Sequence, residues 1–162
     1  MSEPKVRLAS SHDWPAVAGL LVELGRGVAA GTAEDPTHQQ AFAGHLRQIG
    51  NVTLVAEVDG RVAGVVDMEY HQRLGDHRPQ ARVNDVVVTD RARGAGVGKA
   101  LLRRAEELAR KRGCFRMALV TASWRDDSIA FYASEGWSDY GAWFVKQLAD
   151  DVTQGGQPTD DN

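Results

Sequence analysis

Hydrophobic residues change their spacing several times along this chain, and each change marks an element. Lys5–Leu8 is expected as a short opening strand. Ser10 and Asp13 then stand at capping-box spacing, and Pro15 suits a first helical turn. Val17, Leu20, Leu21 and Leu24 continue at the period of one helical face until Gly25. Gly25, Gly27 and Gly31 open a loop, and a second helix is expected from about Pro36 to Ile49. Val52–Val58 and Arg61–Tyr70 form a strand pair around Asp59-Gly60, a dipeptide suited to a tight hairpin turn. The polar stretch HQRLGDHRPQ is expected as a loop before a strand over Ala81–Val88. Val97, Leu101, Ala105, Leu108 and Ala109 restore the helical period. Cys114–Thr121 follows as an apolar strand, then a short helix stopped by Gly136, then a last hairpin over about Trp137–Leu148.

The order β-α-α-β-β-β-α-β-α-β-β predicts one mixed α/β domain over residues 1–148. At 162 residues and 43% hydrophobic content the chain can bury a sizeable core, and no run approaches a membrane span. The opening MSEPKVRLASS lacks the apolar segment of a secretory signal. The lone Cys114 offers no disulfide framework, so a cytoplasmic location is expected, with the thiol a small buried hydrophobe. Net charge is −3, yet Asp150, Asp151, Asp160 and Asp161 all lie in a tail over 149–162 expected to be disordered. The body is therefore almost neutral, which argues against nucleic-acid binding. His12, His38, His45, His71 and His77 show no metal-ligand spacing, so no metal is expected.

The chemistry is concentrated in VVVTDRARGAGVGKALL, Val86 to Leu102. Three β-branched residues, Val86, Val87 and Val88, favour a strand. Gly94, Gly96 and Gly98 lead into a helix whose first amides and dipole make an anion site, with Arg93 and Lys99 adding positive charge. A Walker A loop is excluded because its first glycine would be Arg93 and its Ser/Thr would be Ala100. The dinucleotide fingerprint fails because its third glycine would fall at Lys99. What fits is R-x-x-G-x-G, read as Arg93, Gly96 and Gly98.

This loop resembles the acetyl-coenzyme A loop of the GCN5-related N-acetyltransferases, of the form [Q/R]-x-x-G-x-[G/A]. A second block agrees, since Phe131, Tyr132, Gly136 and Trp137 match the family's Phe-Tyr pair and its glycine followed by an aromatic. The resemblance covers about Val6 to Leu148, with motifs confined to Val83–Trp137. It implies a mixed, mostly antiparallel sheet splayed after its fourth strand, with acetyl-coenzyme A in the opening. Cofactor contacts would come from Val86, Val87 and Val88 through main-chain groups, and from Arg93, Gly94, Ala95, Gly96, Val97, Gly98 and Lys99. Ser128 is a further candidate, at the family's usual alanine position. Phe131 either lies along the pantetheine or packs in the core. Arg125 stands where many relatives have asparagine, and contacts an anion or pairs with Asp126 or Asp127.

The resemblance also assigns chemistry. Tyr132 would point at the coenzyme sulfur and protonate the departing thiolate. Asp85 is the candidate base, acting through water, or else a hydrogen-bonding partner of a nearby loop. Many relatives carry glutamate where this chain has Asn84, and asparagine cannot serve as base. Simple alternation puts Asn84 with Val86 on one face and Asp85 with Val87 on the other. The acceptor implied is a primary amine, of a small molecule or else of a protein N-terminus or lysine. Its specificity would arise in about Arg26–His38 and Asp139–Trp143, with Glu23, Glu34, Asp35 and Asp139 available to attract a cation. A non-catalytic acyl-coenzyme A-binding module is the rival from another class, and homodimers are common among relatives.

Overall fold

Central strands buried on both faces organise this molecule as one sheet with helices on either side. The computed structural model describes residues 1–25, 31–121, 126–141 and 146. Strands β1 (Lys5–Leu8), β2 (Asn51–Val58), β3 (Arg61–Gln72), β4 (Pro79–Val88) and β5 (Met117–Leu119) lie side by side in that order. The first three pairings are antiparallel and β4 with β5 is parallel. Helices α1 (Trp14–Leu24) and α2 (Pro36–Arg47) cover one face, α3 (Val97–Lys111) covers the other, and α4 (Asp126–Ser134) follows β5.

The period of two decides which side chain meets which helix. Leu54, Ala56, Val66, Met68 and Val83 point to α3, where Val97, Leu101 and Ala105 close the core. Val55, Val65 and Val87 point the other way, to Trp14, Val17, Leu20 and Phe42 of α1 and α2. Gly64 lets α3 approach β3 closely. A Cβ there would stand 3.0 Å from Leu101 Cδ1, Val97 Cγ1 and the Val87 carbonyl.

At the N-terminus the expected capping pair is present, since the Ser10 amide donates to Asp13 Oδ2 at 2.7 Å. Arg7 adds a two-pronged grip on the same carboxylate, 2.8 Å to each oxygen, and also donates to Glu57. This grip holds the Asp13 carboxyl down at about 2 and fixes β1 against the start of α1. The expected hairpin turn also forms, with positive φ at both Asp59 (51°) and Gly60 (74°).

Several boundaries differ from the sequence pattern. The polar HQRLGDHRPQ is not all loop, because His71 and Gln72 still pair with Gln80 and Pro79. His71 and Gln72 are exposed there, so β3 continues its ladder without apolar alternation. The strand expected over Cys114–Thr121 pairs with β4 only over Met117–Leu119. Cys114 instead closes the end of α3, its amide donating to the Ala109 carbonyl at 3.0 Å. Residues 137–141 form no strand, and the rest of the expected last hairpin, like the tail, lies outside the described residues. No helix among the described residues is long and apolar enough to cross a membrane.

Candidate functional site

The sheet opens where its fourth and fifth strands part. Their last paired positions are Val83 and Leu119, while β4 continues to Val88. Among the described residues, pairing of β4 with β5 does not extend beyond Val83. After β4 the chain makes a single turn over Asp90–Ala92, tucks in Ala92 as a buried anchor, and enters the glycine loop. Gly94 and Gly96 both take positive φ, 77° and 78°, a conformation costly for any residue with a Cβ. The first backbone bond of α3 runs from the Ala100 amide to the Gly96 carbonyl at 2.9 Å. The amides of Val97, Gly98 and Lys99 thus lie ahead of the helix's own acceptors, at the positive end of its dipole.

Gly98 has a different reason to be glycine. Its φ is not positive, but a Cβ would stand 3.3 Å from Phe131 Cζ and 3.6 Å from Val88 Cγ2. Phe131 of α4 therefore packs onto the junction of β4 and α3, and the two motif blocks meet there. Next to it, Tyr132 is half-buried between the rings of Phe131 (centroids 5.4 Å apart) and Trp137 (6.0 Å). Gly136 turns the chain with φ 86°, so that the Trp137 amide returns to the Tyr132 carbonyl at 3.0 Å. Ser128 is half-buried near the start of α4, while Arg125 lies outside the described residues.

The loop's two cations already hold carboxylates. Arg93 pairs with Asp90 at 2.8 Å, and Lys99 with Glu135, just past the C-terminal end of α4, at 3.0 Å. What this loop presents to solvent is accordingly the amides of α3 and the positive end of its dipole more than free positive charge.

On β4, the residues expected to line the site divide between the two faces of the sheet. Val86 and Val88 pack towards α3, and Val87 is buried towards α1. Asp85 pairs with Asp67 in the ladder, but the next pairing is Met68 with Val83, which leaves Asn84 as the extra residue of a β-bulge. This corrects the alternation expected from sequence. The bulge sends the Asn84 amide to Asp67 Oδ2 (3.4 Å), on the α2 side of the sheet, and not to the face of Val86.

Sequence reasoning missed the polar group around Asp67. His45 Nε2 lies 2.7 Å from Asp67 Oδ1, and Thr53 donates to the same oxygen at 2.7 Å. Asn51 Nδ2 lies 3.1 Å from the other imidazole nitrogen. The one signal available was Asp67 itself, an acid inside the apolar strand VAGVVDMEY, which a fold accepts only if the charge is partnered.

Three acids considered for attracting an amine have local structural jobs. Glu23 accepts from the Thr89 hydroxyl and the Asp90 amide, both at 3.2 Å, and holds the turn after β4. Asp35 caps α2 by accepting from the Thr37 amide at 2.8 Å, and Asp139 accepts from the Gly141 amide at 3.2 Å. Glu34 is exposed. Of the segments expected to set specificity, 26–30 and 142–143 lie outside the described residues. Among the described residues no group of three or more His, Cys, Asp or Glu side chains could hold a metal. Cys114 is half-buried, and burial pushes its thiol up.

Comparison with known proteins agrees with this geometry. The model of the acetyltransferase (GNAT) family matches residues 14–137. The aminoalkylphosphonate N-acetyltransferase of Salmonella typhimurium is 27% identical over 144 residues, 89% of this chain and 91% of that protein. The glucosamine 6-phosphate N-acetyltransferase of Trypanosoma brucei brucei is 32% identical over 93 residues, 56% of this chain and 61% of its own. A solved structure described as a putative acetyltransferase from Agrobacterium tumefaciens superposes with a TM-score of 0.81 at 26% identity, covering 89% of this chain and 99% of that one. Four curated relatives are matched over only 40% to 64% of their own length.

Proposed function

Because the chain belongs to the acetyltransferase (GNAT) family, we propose that it transfers the acetyl group of acetyl-coenzyme A directly to a primary amine of a small molecule. One observation carries this reading. Pairing of β4 with β5 ends at Val83 while β4 runs on to Val88, which lies against Gly98 in the first turn of α3, next to the amides of Val97 and Lys99. A ligand with a peptide-like arm and a diphosphate fits both halves of that junction, the arm along β4 and the diphosphate at the helix start. The positive φ at Gly94 and Gly96 brings backbone, without side chains, to the same place.

The reaction sets further demands. An alkyl ammonium with a pKa near ~10.4 must lose a proton before its nitrogen can attack the thioester carbonyl. The carbonyl oxygen then gains charge that a fixed backbone N–H can stabilise. The thiolate leaves more readily if it is protonated as the C–S bond breaks. In this reading Asp85 takes the amine proton through water, and Tyr132 gives its phenolic proton to the sulfur, so the proton count balances. Support for small amines comes from the relatives, whose names specify an aminoalkylphosphonate and an amino-sugar phosphate.

The test is calorimetry of the full chain with acetyl-coenzyme A, with ATP and NAD in parallel, followed by thiol release in a panel of amines. Micromolar binding of acetyl-coenzyme A alone, with amine-dependent thiol release, is the expected result. Binding without release for any amine would leave a coenzyme A-binding module, and no binding would overturn the reading of the glycine loop.

A further inference from the structure

The sheet face that carries Asp85 is graded along its length. Register pairs Val65 with Val87, Asp67 with Asp85, Glu69 with Arg82, and His71 with Gln80. All four pairs lie on the α1/α2 side, because their neighbours Val66, Met68, Ala81 and Val83 face α3. The rows therefore run from apolar core, through the acids of the candidate site, to a basic end. Around that end lies a cleft of about 270 Å³ lined by His71, Arg73, Gln80, Arg82, Arg116 and Leu119, with flanking residues of β5.

Three guanidinium groups around one small cleft repel one another unless something neutralises them. The structure supplies little. Arg82 approaches Glu69 only to 3.6 Å, and both side chains are well exposed. Among the described residues Arg116 has no carboxylate partner. It is held by neutral groups, donating from Nε to Gln80 Oε1 at 2.6 Å and lying against the rings of Phe115 (5.3 Å) and Tyr140 (5.5 Å). Gln80 is itself only 8% exposed, so the amide that orients Arg116 is fixed by the core. A guanidinium held in place without a counter-charge, beside two more, is built for an anion that arrives with a ligand.

We propose that this cleft binds the phosphate or phosphonate dianion of the acceptor, so that the substrate is a small primary amine carrying such a group. The link to the amine rests on the acetyltransferase reading above, whereas the anion site rests on the arginines alone. From the Asp85 row to the two basic rows is one to two pleats, about 7–13 Å along the strands. An arginine side chain reaching back along the face shortens that span to the size of a small amino phosphate. The acids considered from sequence for attracting a cationic acceptor mostly serve caps and turns, whereas the open charge near the site is positive.

The test uses the full chain saturated with coenzyme A, so that the glycine loop cannot take up the probe. Inorganic phosphate and acetate are titrated by calorimetry into this protein and into Arg116→Gln, Arg82→Gln and Arg73→Gln. Arg73 lies in an exposed turn, so its variant folds even if Arg116→Gln does not. The expected result is phosphate binding in preference to acetate, weakened about tenfold or more by each substitution. KM for O-phosphoethanolamine or 2-aminoethylphosphonate should rise by a similar factor, and by more than KM for ethanolamine does. Absence of phosphate binding by the coenzyme A-loaded protein, or binding indifferent to all three substitutions, overturns the proposal. Phosphate binding that depends on the arginines, in a protein that acetylates no amine, keeps the anion site and sinks the transferase reading instead.

Discussion

His45 Nε2 on α2 lies 2.7 Å from Asp67 Oδ1 on β3, and this contact ties the α2 layer to the sheet beside Asp85. Asn51 Nδ2 lies 3.1 Å from His45 Nδ1, and an amide nitrogen can only donate. With the amide so oriented, Nδ1 accepts and the proton sits on Nε2, donating to Asp67. Thr53 and Asn84 also donate to that carboxylate, so its charge is met from three sides. Asp67→Asn leaves one acceptor oxygen and an NH2 group where three donors converge. It should cost about 1–3 kcal/mol in urea unfolding. His45→Ala should cost less in the Asp67→Asn background than in the parent, with a coupling of about 0.5–3 kcal/mol in the double-mutant cycle. Additive losses would show that the two side chains act separately.

Tyr132 and Asp85 are distinguishable by kinetics. Tyr132→Phe keeps the ring that packs against Phe131 and Trp137, so acetyl-coenzyme A affinity should hold while turnover falls by about 10²-fold or more. Full turnover in that variant would remove the tyrosine from the acid role. Asp85→Asn should lower turnover more at neutral pH than at high pH, where the amine loses its proton unaided. A pH–rate profile unchanged from the parent would take Asp85 out of the mechanism.

The glycine loop and the helix behind it were legible in the sequence because their demands are local. Positive φ at Gly94 and Gly96 and the apolar face of Val97, Leu101 and Ala105 each follow from residues close together in the chain. Asn84 was misplaced because strict alternation holds only while a strand stays in register, and the β-bulge is set by how β3 pairs with it. The polar group around Asp67 joins His45, Asn51, Thr53 and Asn84, which approach only after the sheet and α2 have docked. The same holds for the basic cleft. Arg73, Arg82 and Arg116 come from three parts of the chain, and the polar stretch before β4 reads as loop until its ends pair.

Two glycines should fail for different reasons. Gly64→Ala places a methyl against the Val87 carbonyl, Leu101 and Val97 at 3.0 Å, and backbone cannot step aside cheaply. A loss of about 1–3 kcal/mol is expected in urea unfolding. Gly94 has nothing near its would-be Cβ, but its φ of 77° strains any L side chain. Gly94→Ala should therefore cost about 1–2 kcal/mol through the loop alone and weaken acetyl-coenzyme A binding. If Gly94→Ala lowers stability yet leaves that affinity intact, the loop is a turn and not a cradle.

The Arg7–Asp13 grip predicts part of the acid limb of stability. The Asp13 carboxyl is lowered from 3.8 to about 2, chiefly by its hydrogen bonds from Arg7, with the Ser10 amide adding to the effect against the opposing cost of burial. A group whose folded value is depressed stabilises the fold above its unfolded value and loses that contribution as pH falls through the folded one. The window is therefore about pH 4 down to 2. The shift alone corresponds to a little over 2 kcal/mol, but Arg7 is 42% exposed and solvent screens the pair, so about 1–2 kcal/mol is the expected size. Asp13→Asn should be less stable than the parent at pH 6 by roughly this amount, and the gap should close between pH 4 and 2. Urea unfolding at pH 6, 4 and 2.5 measures it directly. A gap as large at pH 2.5 as at pH 6 would mean that the substitution acts through the lost capping geometry at Ser10, not through the lost charge.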